Sequence, residues 1–402
     1  MAPPEPQLAF AWACAGLAAL AAVRIRAGKS AAPGVDKLVA TTSSPSVSSS
    51  DDKGTSEKKD KAGKSHVLRI GSRKSDLAMV QTRHVESLLK IKYPDLCIEV
   101  QKGVMSMGDN QLGESLKALA AKTPGVFTKE LEAGLLDGQY DAVVHSLKDM
   151  PTTLPGGLVL AGITEREEPE DALVVHEKYR GKGGLEALPA DARVGTSSVR
   201  REAILRRDYP SLQIVLIRGN LNTRLAKLDS GEYDAIVLAV AGLKRLGKEF
   251  AARIEQVLAP PKFMYGVSQG ALGLQCRADD ERTIKMLKSI EHPESAARCK
   301  AERALLRTLQ GGCQVPLGVA TKILPGGKLE LACIILKEDG SESVERTLQG
   351  SQAEPEKLGE TLANDLLTGG ASKLLESFKA GDAPRPLTYG SAEKPHVEAR
   401  RS

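Results

Sequence analysis

Two stretches of this 402-residue chain repeat one another, and this repeat limits the possible folds more than any other feature. The segment GQYDAVVHS at 138–146 resembles GEYDAIVLA at 231–239, and LRIGSRKSDLA at 68–78 resembles ARVGTSSVRREA at 192–203. In the first pair a helix ends at Gly before a buried strand, and in the second a strand ends at Gly-Ser or Gly-Thr before a helix. Because both pairs occur in the same order, we predict two similar α/β lobes that face a cleft.

The apolar pattern around the repeats predicts the other elements of an α/β architecture with buried strands. The predicted strands of the lobes include Leu68–Gly71, Cys97–Val100, Tyr140–Val144, Leu158–Ile163 and Ala172–Val175. The predicted helices of the first lobe are Asp76–Leu89 and Phe127–Leu136. The C-terminal part is predicted to be a small α+β domain, with a helix over 294–309, strands Leu329–Leu336 and Val344–Leu348, and a closing helix Glu356–Leu367.

The first 65 residues differ in composition from the rest. Leu8 to Val23 is sixteen residues without charge, fewer than the roughly 20 that a membrane helix needs. Basic residues and the Ser/Thr-rich stretch TTSSPSVSSS at 41–50 follow, and a segment of this composition cannot bury a core. We predict a disordered targeting leader over 1–65, of the two-part type used for plastids; a mitochondrial or cytoplasmic location and a membrane anchor are the alternatives.

Charge and cysteine spacing exclude several classes of function. The formal charge is +5, but the leader holds nine Lys/Arg and six Asp/Glu, so the body is nearly neutral. General nucleic-acid binding needs a broad basic surface, which this balance does not provide. The six cysteines, at positions 14, 97, 276, 299, 313 and 333, show neither CxxC nor His-rich spacing. We therefore predict neither a disulfide framework nor a metal site.

Ionisable residues follow one predicted strand of the first lobe, whereas its counterpart in the second lobe has none. The first strand continues into HSLKDMPT at 145–152, which contains His145, Lys148 and Asp149, and the second continues into AVAGL at 239–243. Ligands of open α/β sheets bind beyond the carboxyl ends of the strands. Because only the first lobe has ionisable residues at this point, we predict a reaction centre there. The alternative is that HSLKDMPT is simply a solvated turn.

Arginine and serine residues recur at three predicted strand-to-helix corners. Free N–H groups at a helix start attract anions, and the guanidinium fork donates two parallel hydrogen bonds to a carboxylate. A single arginine is more often a surface charge, but the shared position favours a site for a polycarboxylate. These residues are Arg73 and Ser75, then Ser197, Ser198, Arg200 and Arg201, then Arg218 and Arg224.

The stretch LQGGCQVPLG at 309–318 predicts a loop that presents Cys313 at a bend. Gly311 and Gly312 can adopt backbone angles closed to other residues, and Pro316 fixes φ and lacks an N–H donor. A small buried thiol is one alternative. A nucleophile or a point of covalent attachment is the other.

Six motifs, taken in order, resemble the porphobilinogen deaminase (hydroxymethylbilane synthase) family. They are RIGSRKS, HSLKDMPT, VGTSSVRR, IRGNLNTR, SQGALG and LQGGCQVPLG, and the likeness spans about Leu68 to Leu375. The resemblance implies three domains, the first two built like periplasmic binding proteins, and a dipyrromethane cofactor joined by a thioether to Cys313. It implies a transferase that joins four porphobilinogen molecules head to tail, with loss of four ammonia, to the linear tetrapyrrole hydroxymethylbilane. Use of the product for haem, chlorophyll or both stays open.

The resemblance also implies roles for individual residues. Asp149 and Lys148 match catalytic positions, and Asp149 would hold the pyrrole N–H and stabilise the cation formed as ammonia leaves. Ser106 and Asp109 match a loop near the cleft. The implied cofactor-binding residues, besides Cys313, are Arg73, Ser75, Lys148, Ser197, Ser198, Arg200, Arg201, Arg218, Arg224, Gln269 and Gly270.

The predicted domains are a leader, 1–65; domain 1, 66–166 with a return segment 268–291; domain 2, 167–267; a C-terminal domain, 292–380; and a flexible tail, 381–402. We expect a monomer that acts on porphobilinogen, with no nucleic-acid partner and no stable membrane association of the mature enzyme. Two other functions are alternatives. A two-lobed binding protein without catalysis leaves Cys313 and Asp149 without a purpose, and a cysteine hydrolase needs a base near the thiol, for which His145 is the candidate.

Overall fold

The computed structural model describes residues 67–103, 128–309 and 315–379. Two five-stranded sheets and one three-stranded sheet organise these residues. The predicted architecture of two α/β lobes and a small third domain is therefore confirmed.

Lobe 1 is built on a mixed sheet of order β2-β1-β3-β10-β4. Its strands are β1 (Val67–Ser72), β2 (Cys97–Lys102), β3 (Ala142–Ser146), β4 (Leu158–Ile163) and β10 (Leu272–Arg277). Its helices are α1 (Asp76–Lys92), α2 (Lys129–Leu136) and α7 (Glu281–Lys288). Strands β1, β2 and β3 are parallel, and β10 runs antiparallel between β3 and β4.

Lobe 2 repeats this topology in the order β7-β6-β8-β5-β9. Its strands are β5 (Asp171–Val175), β6 (Arg193–Thr196), β7 (Gln213–Leu216), β8 (Ala235–Ala239) and β9 (Gln256–Leu258). Its helices are α3 (Val199–Asp208), α4 (Leu221–Asp229), α5 (Val240–Leu246) and α6 (Lys248–Ala251). Here β5 takes the antiparallel place that β10 takes in lobe 1.

The sequence repeat has a physical basis in two contacts that both lobes make. Tyr140 packs on Gly71, where an added Cβ would lie 2.8 Å from the ring, and Tyr233 packs on Gly195, where the distance would be 2.9 Å. The following aspartates, Asp141 and Asp234, accept hydrogen bonds from the backbone N–H groups of Arg69 (2.9 Å) and Arg193 (2.8 Å). Gly, Tyr and Asp recur because each lobe uses them where two parallel strands pair, β1 with β3 in lobe 1 and β6 with β8 in lobe 2.

The chain crosses between the lobes twice, and the two crossing segments are hydrogen bonded. It passes from β4 to β5 over residues 164–170 and returns from β9 to β10 over 259–271. The N–H of Thr164 donates to Leu272 O at 3.2 Å, and the N–H of Glu167 donates to Gly270 O at 3.2 Å. These bonds hold the two connections side by side below the cleft.

The third domain packs two helices on an antiparallel sheet of order β11-β12-β13. Its elements are α8 (Pro293–Thr308), β11 (Leu317–Leu324), β12 (Lys328–Leu336), β13 (Ser343–Ser351) and α9 (Pro355–Leu366), followed by a π-helical segment Leu367–Ala371 and α10 (Ser372–Lys379). The sequence pattern predicted β12 and β13 but not β11. Lys322, exposed in the middle of β11, interrupts the apolar run by which a strand is recognised.

Helix α8 connects the third domain to lobe 1. Its residues Ala296 and Cys299 share an apolar cluster with Leu147 and Met150, which follow β3. No helix in the part of the chain that the structure describes is long and apolar enough to cross a membrane. The predicted leader, 1–65, and tail, 381–402, lie outside the described residues, and the domain limits stay predictions.

Candidate active site

Strand β3 ends in a 3-10 turn, Leu147–Asp149, that presents both predicted catalytic side chains. Leu147 is fully buried, its N–H donates to Ala271 O at 2.9 Å, and its carbonyl accepts from the N–H of Met150 at 3.2 Å. These contacts fix the back of the turn and leave Lys148 exposed and Asp149 half-buried at its front. Within the described part of the chain, the Asp149 carboxylate makes no hydrogen bond or ion pair, so it is available to a ligand.

Lys148 lies among charges from both lobes. Removal from bulk solvent lowers the pKa of its ammonium group, and the positive charges of Arg201 and Arg224 lower it further, while Asp149 and Asp171 oppose the change. Much of the Lys148 surface is nevertheless accessible. This accessible surface moderates the effect of burial on the pKa. The cleft therefore brings the turn of lobe 1 to the arginine corners of lobe 2.

Asp171, the first residue of β5, holds the two predicted arginines of α3. Its carboxylate is fully buried and accepts from Arg200 Nη1 at 2.7 Å and from Arg201 Nη2 at 2.6 Å. Burial alone would raise the pKa of Asp171, but the charges and hydrogen bonds of both guanidinium groups outweigh it and hold the pKa well below its usual range. Arg200 is buried with Asp171 and Met264 O (2.7 Å) as partners, and Arg201 also donates to Val237 O at 2.7 Å.

The third corner, between β7 and α4, places Arg218 and Arg224 beside this group. Asn220 caps α4 by accepting from the N–H of Thr223 at 2.9 Å, and Arg224 Nε donates to Gly219 O at 2.9 Å. Burial lowers the pKa of Arg224 to about 10, and the positive charges of Arg201 and Arg218 contribute. Three guanidinium groups that repel one another form a site that an anionic ligand would stabilise.

The serines predicted for the site lie at the first turns of α1 and α3. Ser75 is the N-cap of α1, in extended conformation and without a side-chain capping bond. Ser198 is the N-cap of α3, and its hydroxyl accepts from the N–H of Arg201 at 3.5 Å, with Ser197 half-buried beside it. Arg73 precedes Ser75 and lines a small cavity with His145, Ser146 and Asp149. The serines of both lobes thus stand at helix starts, where backbone N–H groups are oriented to bind anions.

His145 is not placed to act as a general base at neutral pH. It is buried, and its Nε2 atom lies 2.9 Å from Gln275 Oε1. Burial, opposed by the Gln275 hydrogen bond and assisted by the charge of Arg73, lowers its pKa to about 4. The imidazole is therefore neutral and a weak proton acceptor, which disfavours the cysteine-hydrolase alternative.

Gln269 and Gly270 lie in the returning connection between the lobes. Gln269 Nε2 donates to Asp171 Oδ1 at 2.8 Å and to Pro169 O at 2.7 Å. Gly270 has φ +90°, and an added Cβ would lie 2.3 Å from Glu167 O, so only glycine fits. Its carbonyl accepts from Arg245 Nη2 at 2.6 Å. Gln269 thus borders the arginine group of α3, and the role of both residues as cofactor ligands stays a prediction.

Some parts of the predicted site lie outside the described residues, and one functional residue was missed. Cys313, Ser106 and Asp109 are outside the described residues. Asp171, which orients Arg200 and Arg201, is not among the residues predicted from the sequence. The signal for it is a carboxylate at the first position of the fully buried strand β5, where a charge requires a partner.

Two family models match the chain, and together they span most of the described residues. The model "Porphobilinogen deaminase, dipyromethane cofactor binding domain" matches residues 68–285, and "Porphobilinogen deaminase, C-terminal domain" matches 296–368. The chain belongs to the porphobilinogen deaminase family. Accordingly it is a transferase with hydroxymethylbilane synthase activity, which uses porphobilinogen as substrate and a dipyrromethane cofactor in tetrapyrrole biosynthesis.

Cyanobacterial members of the porphobilinogen deaminase family are similar over nearly their whole length. The protein of Nostoc sp. is 50% identical over 314 residues, 78% of this chain and 95% of that protein. The protein of Synechococcus elongatus is 49% identical over 317 residues, 79% of this chain and 97% of that protein. Among solved structures, the methionine-binding protein MetQ overlaps 56% of this chain and 89% of that chain, at 14% identity and a TM-score of 0.36. The two-lobe fold is established by the strand pairings and not by this overlap.

The residues present fit the dipyrromethane of the porphobilinogen deaminase family. Each pyrrole of this cofactor bears an acetate and a propionate. Among the described residues that interact at this point, Lys148, Arg201, Arg218 and Arg224 are cations, whereas the carboxylates are Asp149 and Asp171. Asp171 is already engaged by the arginines of α3. The site therefore holds more cations than carboxylates, and the acetate and propionate groups of the cofactor would balance this difference in charge.

Proposed function

We propose that Asp149 is the catalytic carboxylate of this enzyme, that Lys148 assists it, and that Cys313 is the attachment point of dipyrromethane. One observation supports this most strongly. The 3-10 turn after β3 places Asp149 and Lys148 opposite the guanidinium groups of Arg201 and Arg224, which belong to the other lobe. If the arginines bind the carboxylates of a substrate, the part of the substrate that points away from the arginines lies against the Asp149 carboxylate.

The cationic residues bind the acetate and propionate groups of substrate and growing chain. Arg201, Arg218 and Arg224 lie on lobe 2 and Arg73 on lobe 1, so a ligand between the lobes is contacted from both sides. Each charge-assisted hydrogen bond contributes about 1.5–3 kcal/mol. A pyrrole with two carboxylates that makes several such bonds is fixed in both position and orientation. Ser75, Ser197, Ser198 and the adjacent helix N-termini add hydrogen-bond donors.

Asp149 stabilises the positive charge that develops on the pyrrole of porphobilinogen as ammonia leaves. Its carboxylate accepts the hydrogen bond of the pyrrole N–H, and a fixed anion there lowers the energy of the cationic state. The same carboxylate can take up the proton released when the new carbon–carbon bond has formed. Within the described residues it has no competing hydrogen-bond partner, which suits both tasks.

Lys148 acts as a cation adjacent to the carboxylate. It lies close enough to Asp149 and to Arg224 of lobe 2 for their charges to interact, so it adds a cation on the lobe 1 side of the site. Bound dipyrromethane supplies the free pyrrole carbon to which the first porphobilinogen is joined. The lobes hold the carboxylates of both partners.

The proposal is tested by intact mass and turnover of purified variants. We expect the wild type to have the added mass of two pyrroles, Cys313→Ala to lack it, and Cys97→Ala, at an exposed cysteine, to retain it. Asp149→Ala should retain the added mass at least in part and lose nearly all turnover. An unmodified but active wild type would refute the attachment at Cys313, and full activity of Asp149→Ala would remove Asp149 from the mechanism.

We further propose that residues 1–65 direct the protein to a plastid and that the mature enzyme is a monomer. The Ser/Thr-rich composition of 41–50 and the similarity to cyanobacterial enzymes, which spans only 78% of this chain, support the plastid assignment. A fluorescent fusion of residues 1–65 tests the location, and a diffuse cytosolic signal would refute it. Light scattering of the purified enzyme tests the monomer.

A further inference from the structure

Helix α8, which leads towards Cys313, also contacts the turn that presents Asp149. Arg303 of α8 is only 7% exposed. Its Nη1 atom donates to Met150 O at 3.2 Å and its Nη2 atom donates to Pro151 O at 2.6 Å. These are the first two carbonyl groups after Asp149 in the chain. A single guanidinium group therefore holds both peptide units that follow the catalytic carboxylate.

Arg303 has neutral acceptors where a buried cation usually has a carboxylate. Among the described residues it makes no ion pair, whereas its neighbour Glu302 pairs with Arg166 at 2.6 Å, with both side chains almost fully buried. Burial lowers the pKa of Arg303 to about 10. A buried charge without a counter-ion contributes little to stability compared with an apolar side chain of similar volume. What Arg303 can contribute is to fix the positions of the Met150 and Pro151 carbonyl groups.

Apolar packing supports the same side of the turn. Leu147 and Met150, on either side of Lys148 and Asp149, share one cluster with Ala296 and Cys299 of α8. The back of the turn thus rests on α8, and its front faces the cleft. With the Arg303 bonds, the turn is held at its start, at Met150 and at Pro151.

We propose that Arg303 is a positioning residue for the condensation reaction. By holding Met150 O and Pro151 O it keeps the Asp149 carboxylate where the positive charge develops on the substrate. Catalysis by a fixed charge depends on its position before the reaction begins, and a misplacement of about 1 Å can lower the rate about a hundredfold. The inference rests on the proposed catalytic role of Asp149.

The test compares three variants of the full-length, cofactor-loaded enzyme. Arg303→Met removes the donors and keeps the length of the side chain, and Arg303→Lys keeps the charge and can reach one carbonyl. Arg307→Met is the matched control, since Arg307 lies one turn further along α8, is exposed and faces Glu360 at 3.6 Å. Activity is expressed per mole of enzyme that has the two-pyrrole mass and is folded by circular dichroism.

We expect Arg303→Met to lower kcat about tenfold to a hundredfold with KM nearly unchanged, because binding by the arginines of lobe 2 is untouched. Arg303→Lys should lie between Arg303→Met and wild type, and Arg307→Met should equal wild type. Wild-type kcat per loaded, folded Arg303→Met enzyme would overturn the inference and leave Arg303 a structural residue. If Arg303→Met does not fold, Arg303→Lys decides: a lower kcat supports the inference and an unchanged kcat overturns it.

Asp149→Asn, measured in parallel, separates the two proposals. Full activity of Asp149→Asn would refute the catalytic role of Asp149, and the inference about Arg303 with it. An inactive Asp149→Asn together with a fully active Arg303→Met would refute the role of Arg303 alone.

Discussion

The ends of strands β3 and β8 occupy equivalent places in the two lobes and are used differently. In lobe 1 the chain turns after β3 and presents Lys148 and Asp149 to the cleft. In lobe 2 it continues from β8 directly into α5, with Ala241 and Gly242 at the equivalent positions. A Cβ on Gly242 would lie 3.4 Å from Leu221 and 3.8 Å from Leu77 of lobe 1. In the proposed mechanism, the end of β3 serves the chemistry, whereas the end of β8 lies at a contact between the lobes.

The aspartates nearest the cleft show the same division. Asp171 of lobe 2 is saturated by Arg200, Arg201 and Gln269, while Asp149 of lobe 1 has no hydrogen-bond partner among the described residues. A saturated buried carboxylate organises its neighbours, and an unsaturated one can act on a ligand. In the proposed mechanism, lobe 2 therefore prepares the binding surface and lobe 1 provides the reacting group.

The largest effect on stability is expected from a substitution of Asp171, the carboxylate that holds the arginines of α3. Asp171→Asn leaves two buried guanidinium groups without a counter-ion, so the free energy of unfolding should fall by about 3–5 kcal/mol. Because the folded pKa of Asp171 is depressed, its contribution is present above about pH 4 and is lost as pH falls through the folded pKa. Urea unfolding measures both effects, with Asp279→Asn, at an exposed residue, as control. Unchanged stability would mean that Asp171 does not hold the arginines.

A change at the β7–α4 corner should affect binding rather than chemistry. Arg224→Met removes a cation of lobe 2 and should raise KM about tenfold to a hundredfold, the equivalent of one charge-assisted bond of about 1.5–3 kcal/mol. The kcat should change much less, in contrast to variants of Asp149. Steady-state kinetics with porphobilinogen test this, with Lys248→Met on the exposed surface of lobe 2 as control. A fall in kcat alone would contradict the division between the lobes.

The scaffolds of the two lobes should respond alike where their sequences repeat. Gly71→Ala and Gly195→Ala each force a methyl group to within 3 Å of a tyrosine ring, and each should lower the free energy of unfolding by about 1–3 kcal/mol. Gly156→Ala is the control, because an added Cβ there meets nothing within 4 Å. Clearly unequal losses of stability would show that the two lobes share the repeated sequence but not the packing of glycine against tyrosine.

The smallest effects are expected at the repeated aspartates. Burial would raise the pKa of Asp141 and of Asp234, but hydrogen bonds from Arg69 and Lys178 respectively lower both. Because Arg69 and Lys178 are well exposed, each pair contributes about 1 kcal/mol or less. This stability is present above about pH 4 and is lost as pH falls through the lowered folded pKa, so Asp141→Asn and Asp234→Asn should both weaken the pH dependence of unfolding below about pH 4. A larger effect at one of them would contradict the equivalence.

Much of the fold and part of the site could be predicted because their signals are local. The strand Leu158–Ile163 has the predicted bounds, and the repeated Gly, Tyr and Asp positions make the same contacts in both lobes. The pairing of Arg200 and Arg201 with Asp171 could not be predicted, because 29 and 30 residues separate the partners. The bonds from Arg303 span 153 and 152 residues, and nothing in the helical pattern of α8 indicates them.

The place of β10 has a consequence for how the chain is made. Every strand of lobe 2 lies between Asp171 and Leu258, so its sheet can close as soon as that stretch has emerged from the ribosome. Lobe 1 starts earlier but cannot finish, because β10, from Leu272 to Arg277, must insert between β3 and β4. Until then the edges of β3 and β4 are unpaired. The lobe that bears Asp149 is thus begun first, but its sheet can be completed only after every strand of lobe 2 has been made.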